Sequence, residues 1–229
     1  MLPPGEARHA VRALRHEPGD LITVVDGTGR WYRVRLEAAG TKRVVGTVVE
    51  QKAHVGEPQV PFVLAVGLLK KRSRFETVVE KAVELGVTTL VPLETYRAER
   101  NRIRRDRLHN IMVAALKQCG RSQLPALSAP CSLAQALVRF PRLHAVCCHE
   151  AGPGRVALPS ALNADRPSHR GLLLAVGPEG GFTDAEVATA RRSSATIAHL
   201  GPRRLRTETA ALTAAGTAMA LQCVEGDDT

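Results

Sequence analysis

Aromatic side chains are scarce in this chain of 229 residues: one Trp, two Tyr and four Phe make up 3% of it. Proteins that stack single-stranded bases on a sheet need several exposed rings, so this mode of binding is not expected. Acidic residues are also outnumbered, with 22 Asp and Glu against 32 Lys and Arg, which gives a formal net charge of +10. Of these cations, 26 are Arg. Planar guanidinium groups match phosphate oxygens, so the excess favours a polyanionic partner, although a solubilising surface would carry the same charge.

Long apolar runs are missing as well. The most apolar segments, residues 62–69 and 172–176, are far shorter than the roughly 20 residues that a bilayer requires. The first 20 residues contain no apolar stretch typical of a signal peptide. The five cysteines form no C-x-x-C pair, and the eight histidines have no ligand spacing. We therefore expect a cytoplasmic protein with reduced cysteines, no membrane segment and no metal ion.

The pattern of apolar residues divides the chain into two domains. Residues 20–51 alternate apolar and polar positions in three runs, with a hairpin-type turn DGTG at residues 26–29, which predicts three strands. A short helix is possible at residues 6–15. From residue 61 onward, buried-strand runs alternate with helical periodicity, which is typical of an α/β domain with a mostly parallel sheet. We predict a small β-rich domain at residues 1–59 and an α/β domain at residues 60–229.

Two loops of the second domain follow predicted strands and precede predicted helices. The first is GPEGG at residues 177–181, and Thr183 and Glu186 after it have the spacing of a capping box. Ligands of α/β sheets bind beyond the carboxyl ends of strands, where glycines let them approach the backbone. The loop matches neither a dinucleotide fingerprint nor a phosphate-binding Walker loop. An ordinary glycine turn remains the alternative.

The second loop, LGPRRLRTETA, spans residues 200–210 and opens the final helix. Thr207 or Thr209 can cap this helix, and Glu208 lies favourably in its first turn. Three arginines crowded at the positive end of a helix are unfavourable unless an anion or a carboxylate lies opposite them. The loop is therefore a candidate ligand site.

A third feature is the run from Arg97 to Arg107, with six arginines and two acids in eleven residues. A solvated helix start with local ion pairs would explain it. The charge excess and the following KQCGR segment at residues 117–121 favour instead a surface for RNA or phosphate.

These segments together resemble a known family. The GPEGGFT loop, the LGPRRLRTETAALTA stretch, KAVELGV at residues 81–87 and KQCGRSQLP at residues 117–125 are similar to the SPOUT class of knotted RNA methyltransferases. The closest resemblance is to the bacterial 16S ribosomal RNA uridine-N3 methyltransferases (RsmE-like), which modify the decoding-centre uridine 1498. The stretch HAVRALRHEPGDLITVVDGTG resembles the PUA-like β-barrel domain of that family.

The resemblance implies a fold and a cofactor. It implies a trefoil knot in the second domain, which periodicity alone never shows. It also implies S-adenosylmethionine held by three loops, at residues 148–150, 177–181 and 200–206. The implied cofactor-binding residues are His149, Gly177, Pro178, Glu179, Gly180, Gly181, Leu200, Gly201, Leu205 and Arg206.

The reaction requires stabilisation of negative charge on uracil, for which Arg206 is the expected catalytic residue. Glu208 is the second catalytic candidate: either it or Glu179 accepts the N3 proton, or it is a cap carboxylate that orients Arg206. A homodimer built on the knot and the apolar final helix is implied as well. The residues expected to contact 16S ribosomal RNA are Arg30, Arg33, Arg72, Arg97, Arg100, Arg102, Arg104, Arg105 and Arg121.

Three other functions remain open at this point. An inactive ribosome-assembly factor would keep the fold, although the intact GPEGG and RTE segments count against it. A SPOUT methyltransferase with another RNA target would share the same motifs. A nucleotide-binding transferase would need a phosphate loop that the chain lacks.

Overall fold

The computed structural model describes residues 1–40, 43–98, 103–164 and 171–223. The chain separates into two units. Unit 1 consists of Met1–Glu57 and Gly120–Leu124, and unit 2 consists of Pro58–Cys119 and the chain from Pro125 onward. The sequence placed Gly120–Leu124 in the second domain, because the segment is contiguous with a helix of unit 2. The assignment of residues 1–59 and 60–229 to two domains of different function stays a prediction.

Unit 1 contains a three-stranded antiparallel sheet and one helix. Its elements are α1 (Pro4–Arg12), β1 (Leu21–Val25), β2 (Arg30–Ala39) and β3 (Val44–Ala53), with the strands in the order β1-β2-β3. The three predicted strands are confirmed. Where the resemblance leads one to expect a β-barrel, the described part of unit 1 has this sheet, and α1 contributes to a core of Ala7, Ile22, Leu36 and Val44.

The turn between β1 and β2 is closed by a side chain. The carboxylate of Asp26 accepts hydrogen bonds from the backbone N–H groups of Thr28, at 2.7 Å, and Arg30, at 3.2 Å. The bond from Thr28 is the main reason why the pKa of Asp26 is lower than usual. Gly27 and Gly29 adopt φ values of +76° and +102° in this turn.

Unit 2 is an α/β domain built on a seven-stranded sheet. The helices are α2 (Arg72–Glu84), α3 (Arg105–Cys119), α4 (Leu133–Arg139), α5 (Leu158–Asn163), α6 (Asp184–Arg192) and α7 (Thr207–Cys223). The strands are β4 (Phe62–Gly67), β5 (Thr89–Leu93), β6 (Ala126–Leu127), β7 (His144–Cys148), β8 (Val156–Ala157), β9 (Leu172–Val176) and β10 (Thr196–His199). They lie in the order β6-β5-β4-β9-β7-β10-β8, and every adjacent pair is parallel.

The centre of this sheet is buried on both faces. Every residue of β4 and β9 is buried, and the two strands pair from Phe62 opposite Leu172 to Val66 opposite Val176. Parallel strands covered by helices on both sides are almost continuously apolar, as the sequence of both strands is. The predicted α/β class and its parallel sheet are therefore confirmed.

Local sequence signals set two of the helix ends. The hydroxyl of Thr183 and the carboxylate of Glu186 form the predicted capping box of α6. After α2, Gly86 has a φ of +78°, and the N–H of Val87 donates to the carbonyl of Ala82 at 3.0 Å, which is a glycine-based helix stop. The sequence missed the short helices α4 and α5, since seven and six residues are too few to show a helical period.

The described helices include no candidate for a membrane-spanning segment. Within residues 1–40, 43–98, 103–164 and 171–223, none combines the length and the apolar character needed to span a bilayer.

Candidate active site

Three loops of unit 2 meet because their strands are neighbours. β7 lies between β9 and β10, and all three strands are parallel, so their carboxyl ends open at one edge of the sheet. The loops that follow begin at His149, Gly177 and Leu200. Distant parts of the sequence thereby form one site at the edge where α/β proteins bind their ligands.

The three loops enclose a cavity of about 640 Å³ that is open to solvent. Eight of the residues implied by the resemblance line it: His149, Gly177, Pro178, Glu179, Gly181, Leu200, Gly201 and Leu205. Seven further residues complete the wall: Cys148, Glu150, Val176, Arg203, Arg204, Thr207 and Ala210. Gly180 and Arg206 belong to the same loops but are not part of the wall.

Thr207 and Ala210 were not among the residues expected at the cofactor. They lie three positions apart at the start of α7, so both side chains are on one face of the helix. That face closes one side of the cavity. The sequence predicted where α7 begins, but it did not predict which face of the helix lines the cavity.

The glycine loop is tightly folded. The N–H of Gly181, which has a φ of +67°, donates to the carbonyl of Pro178 at 2.8 Å. A Cβ at Gly177 would lie 3.0 Å from the carbonyl carbon of Gly181 and from the nitrogen of Phe182. Since these atoms belong to the backbone, they cannot move aside without reshaping the loop.

A glycine outside the loop, Gly67, also leaves room for the backbone of the glycine loop. Gly67 ends β4, the neighbour of β9, and a Cβ at this position would lie 2.4 Å from the nitrogen of Pro178. Such a distance is not tolerated, so glycine is needed where the two strand ends come together. The sequence analysis did not single out Gly67, because it stands within the apolar run at residues 62–69.

The outer side of the glycine loop is held by two other strand ends. The guanidinium of Arg97, which follows β5, donates to the carbonyls of Gly180 at 2.8 Å and Phe182 at 3.4 Å. The N–H of Lys70, which follows β4, donates to the carboxylate of Glu179 at 3.1 Å. The sequence assigned Arg97 to the RNA surface; in the structure its guanidinium supports the glycine loop.

Replacing Arg97 with Ala is expected to weaken cofactor binding about tenfold, because a charge-assisted hydrogen bond to a part-exposed carbonyl is worth on the order of 1–2 kcal/mol. Calorimetric titration with S-adenosylmethionine measures the change. Arg97→Lys should restore part of the affinity, since an ammonium group still donates to Gly180. If both variants bind the cofactor as the wild type does, Arg97 does not hold the loop in its binding shape.

The arginines of the second loop have different surroundings. The Nε atom of Arg204 lies 3.6 Å from a carboxylate oxygen of Glu150, which answers part of the positive charge expected at this helix end. Both side chains are largely exposed, so the pair contributes little to stability. Arg206 is exposed, and its side chain has no hydrogen-bond or ion-pair partner in the described part of the chain.

Glu208 pairs with α2 instead of the arginine loop. Its carboxylate lies 3.4 Å from the Nε atom of Arg74, and its second oxygen is buried without a hydrogen-bond partner among the described residues. No contact in that part of the chain joins Glu208 to Arg206. Glu208 is not part of the cavity wall, whereas Glu179 is.

His149 is half-buried in the cavity wall, and burial is the main cause of its lowered pKa. The side chain is therefore neutral at pH 7. Below its folded pKa, which lies under 6.5, it becomes a cation facing the ligand site. We expect the affinity for S-adenosylmethionine, itself a cation, to be constant from pH 8 to 7 and to fall at acidic pH. Calorimetry should show a flatter pH profile for His149→Gln, and an identical profile would contradict this role.

Three arginines of the cationic segments, of which Arg105 and Arg121 were expected to contact RNA, have partners inside the protein. Arg105 donates to the carbonyls of Leu127 and Ser128, and Arg107 forms a two-pronged ion pair with Glu76. Arg121 is only 3% exposed, and its guanidinium lies 2.6 Å from the carboxylate of Glu57 within unit 1. Its charge is neutralised inside the protein and is not available to a phosphate.

The remaining RNA candidates are exposed or lie outside the described residues. Arg30 and Arg33 are exposed on β2 in unit 1, and Arg72 and Arg104 are exposed in unit 2. Arg100 and Arg102 lie outside the described residues. Arg72 and Arg104 line one pocket, which the sequence did not predict because the two residues are far apart in the chain.

No metal site accompanies the cavity in the described ranges, since no group of three or more His, Cys, Asp or Glu side chains could hold an ion there. A parallel sheet with a ligand cavity across three adjacent strand ends, preceded by a small β-rich unit, defines the class: the fold is that of the SPOUT RNA methyltransferases with a PUA-like domain.

Comparisons with known proteins agree with this class. A family described as "RNA methyltransferase domain" matches residues 56–219, and "RNA methyltransferase PUA domain" matches residues 2–49. Ribosomal RNA small subunit methyltransferase E of Bacillus subtilis is 29% identical over 216 residues, which cover 90% of this chain and 84% of that protein. Its namesake from Synechocystis is 33% identical over 215 residues, covering 87% and 65%.

A solved structure is similar over nearly the whole chain. It is ribosomal RNA small subunit methyltransferase E from Neisseria gonorrhoeae bound to S-adenosyl methionine, with a TM-score of 0.84 and 27% identity. The match covers 96% of this chain and 90% of that one. The chain therefore belongs to the RNA methyltransferase family whose domain spans residues 56–219.

Proposed function

We propose that this protein transfers a methyl group from S-adenosylmethionine to N3 of uridine 1498 in 16S ribosomal RNA, in the cytoplasm. The observation that carries the proposal is the cavity formed by the three strand-end loops in a chain of this family. Relatives named small subunit methyltransferase E, one of them bound to this cofactor, support the choice of substrate and donor.

The residues of the cavity fit S-adenosylmethionine. Leu200 and Leu205 offer apolar surface for the adenine, and the glycine loop exposes backbone groups to the ribose. The wall carries two carboxylates, of Glu150 and Glu179, and two guanidinium groups, of Arg203 and Arg204, beside the neutral His149. S-adenosylmethionine has a sulfonium cation, an amino group and a carboxylate, so groups of both signs in the wall have a counterpart on it.

The bound cofactor supplies an electrophilic methyl group. N3 of the uridine would accept this methyl group and give its proton to a base, for which Glu179 is the candidate carboxylate in the cavity wall. Arg206 is exposed beside the cavity residues Leu205 and Thr207, and no described side chain neutralises its charge. A free guanidinium there stabilises the negative charge that develops on the uracil oxygens.

Glu208 has a positioning role in this proposal. It joins the start of α7 to α2 through Arg74, and α7 supplies Thr207 and Ala210 to the cavity wall. Of the two carboxylates considered as acceptors of the N3 proton, only Glu179 is part of that wall. Glu208 therefore acts through the helix and does not touch the reacting atoms.

We further propose a homodimer in which α7 lies in the interface. Small residues dominate the sequence AALTAAGTAMALQC at residues 210–223, and only one position in this run carries a long polar side chain. Such a helix packs closely against another helix because little side-chain volume separates the backbones. Sedimentation velocity over a range of concentrations distinguishes monomer from dimer.

Nucleoside analysis of ribosomal RNA tests the proposed reaction. Deletion of the gene should abolish 3-methyluridine in 16S ribosomal RNA, and the wild-type gene but not one encoding Arg206→Ala should restore it. Persistence of 3-methyluridine in the deletion strain would exclude this target. Loss of subunit assembly without any change in modification would favour the inactive assembly factor instead.

A further inference from the structure

A second pocket opens beside the active-site cavity. It is a shallow pocket that is partly open to solvent. Its floor is apolar and consists of Leu68, Leu69, Phe75 and Leu108, each less than 10% exposed. Ile103 forms part of the wall and is partly exposed.

The rim of the pocket is positively charged. Arg72 at the start of α2 and Arg104 just before α3 are exposed on it, and neither side chain has a hydrogen-bond or ion-pair partner in the described part of the chain. Glu76, the acid on the rim, is already paired with Arg107 at 2.7 Å. The pKa of Glu76 is low, mainly because of the hydrogen bond from Arg107, with further contributions from Arg104 and Arg72. Because Glu76 carries a single negative charge and already pairs with Arg107, the rim keeps a net positive charge.

The pocket and the active-site cavity are adjacent. Leu69 lines the pocket, and the N–H of the next residue, Lys70, donates to the carboxylate of Glu179 at 3.1 Å. Glu179 is part of the cavity wall. The segment that follows β4 therefore connects the pocket to the cavity wall.

We propose that this pocket takes the base of one unstacked nucleotide flanking the target uridine, with the adjoining phosphates bound by Arg72 and Arg104. An apolar floor under two exposed guanidinium groups with a net positive charge matches a ligand with a flat, mostly apolar base and an anionic backbone. RNA sequence is read mostly on such splayed, single-stranded bases. The inference rests on the proposed function and names a specificity subsite for it.

Two kinds of variant separate the base from the phosphates. Arg72→Gln and Arg104→Gln should each weaken binding to unmodified small ribosomal subunits and flatten the slope of log affinity against log salt by about 0.7–0.9. Ile103→Trp fills the pocket without changing charge. It should weaken binding about tenfold at every salt concentration and leave the slope unchanged, since it removes a base contact.

Matched controls come from the opposite edge of the sheet. Arg142 is exposed just before β7, so Arg142→Gln removes the same charge from a surface remote from both sites. Calorimetric titration with S-adenosylmethionine confirms that each variant is folded and keeps its cavity. Wild-type affinity of Ile103→Trp for the subunit would overturn the base pocket, even if both arginine variants lose affinity.

Cross-linking identifies the occupant. With p-benzoylphenylalanine at position 103, irradiation of the complex with unmodified subunits and S-adenosylhomocysteine should produce reverse-transcription stops at one or two nucleotides next to the target uridine. The same group at position 138, which is 76% exposed on α4, should yield none there. Stops elsewhere, or cross-links only to ribosomal protein, would overturn the inference. Normal methyl transfer with such a result refutes the pocket alone, whereas failure of the wild type to modify subunits refutes the proposed function.

Discussion

Arg206→Ala is expected to lower the rate of methyl transfer about a hundredfold or more while changing the affinity for S-adenosylmethionine little. One preorganised charge donor is commonly worth on the order of 3 kcal/mol in a transition state. The side chain is exposed, has no partner in the described chain and is not part of the cavity wall, so its removal leaves the wall intact. Single-turnover rates at saturating cofactor and RNA isolate the chemical step from binding.

Two further variants show whether the effect belongs to Arg206 itself. Arg206→Lys keeps the positive charge but loses the planar fork, so it should recover part of the rate. Arg142→Ala removes an exposed arginine from the opposite edge of the sheet and should leave the rate unchanged. A rate for Arg206→Ala within threefold of the wild type would make Arg206 a structural residue.

Gly177→Ala is expected to reduce cofactor affinity at least a hundredfold. The added Cβ would lie 3.0 Å from the carbonyl carbon of Gly181 and from the nitrogen of Phe182, closer than ordinary contacts allow. The backbone of the loop must shift by a few tenths of an ångström to relieve the contact, and the backbone groups that face the cavity shift with it. Calorimetry with S-adenosylmethionine gives the affinity, and circular dichroism reports whether the fold persists.

The same change elsewhere separates this steric effect from a general loss of stability. Gly5 lies in α1, and a Cβ there would meet nothing within 4 Å, so Gly5→Ala should bind the cofactor normally. Gly180→Val is a third point in the series, because a Cβ at Gly180 would lie 3.0 Å from the Cβ of Arg97 on the outer side of the loop. It should lose affinity by displacing Arg97. Undiminished binding by both loop variants would place the cofactor elsewhere.

The glycine loop is held in place by hydrogen bonds from outside the cavity. The glycine loop is held from outside by the strand ends after β4 and β5, through Lys70 and Arg97, while its inner side lines the cavity. The loop is thus preorganised before any ligand binds. Preorganisation lowers the free energy that binding would otherwise spend on ordering the backbone.

Local patterns were sufficient for the longer helices and strands and for two of the three loops that line the cavity. The alternation of residues 20–51, the apolar runs of β4 and β9 and the capping box of Thr183 and Glu186 each depend on neighbours within a few positions. The two glycine- and arginine-containing loops were recognisable for the same reason, since each stands between a strand and a helix. The resemblance then added the third loop at residues 148–150.

The partners of individual side chains were decided only by the tertiary structure. Nothing near these arginines in the sequence shows which groups they bind. Arg105 donates to the carbonyls of Leu127 and Ser128, whereas Arg107 and Arg121 pair with the carboxylates of Glu76 and Glu57. These partners are separated from them by 22 to 64 positions. Likewise, the need for glycine at position 67 arises from the pairing of β4 with β9, which are more than a hundred residues apart. Composition and periodicity record what each residue prefers, whereas the order of the strands decides which residues meet, and that order is set by the packing of the whole sheet.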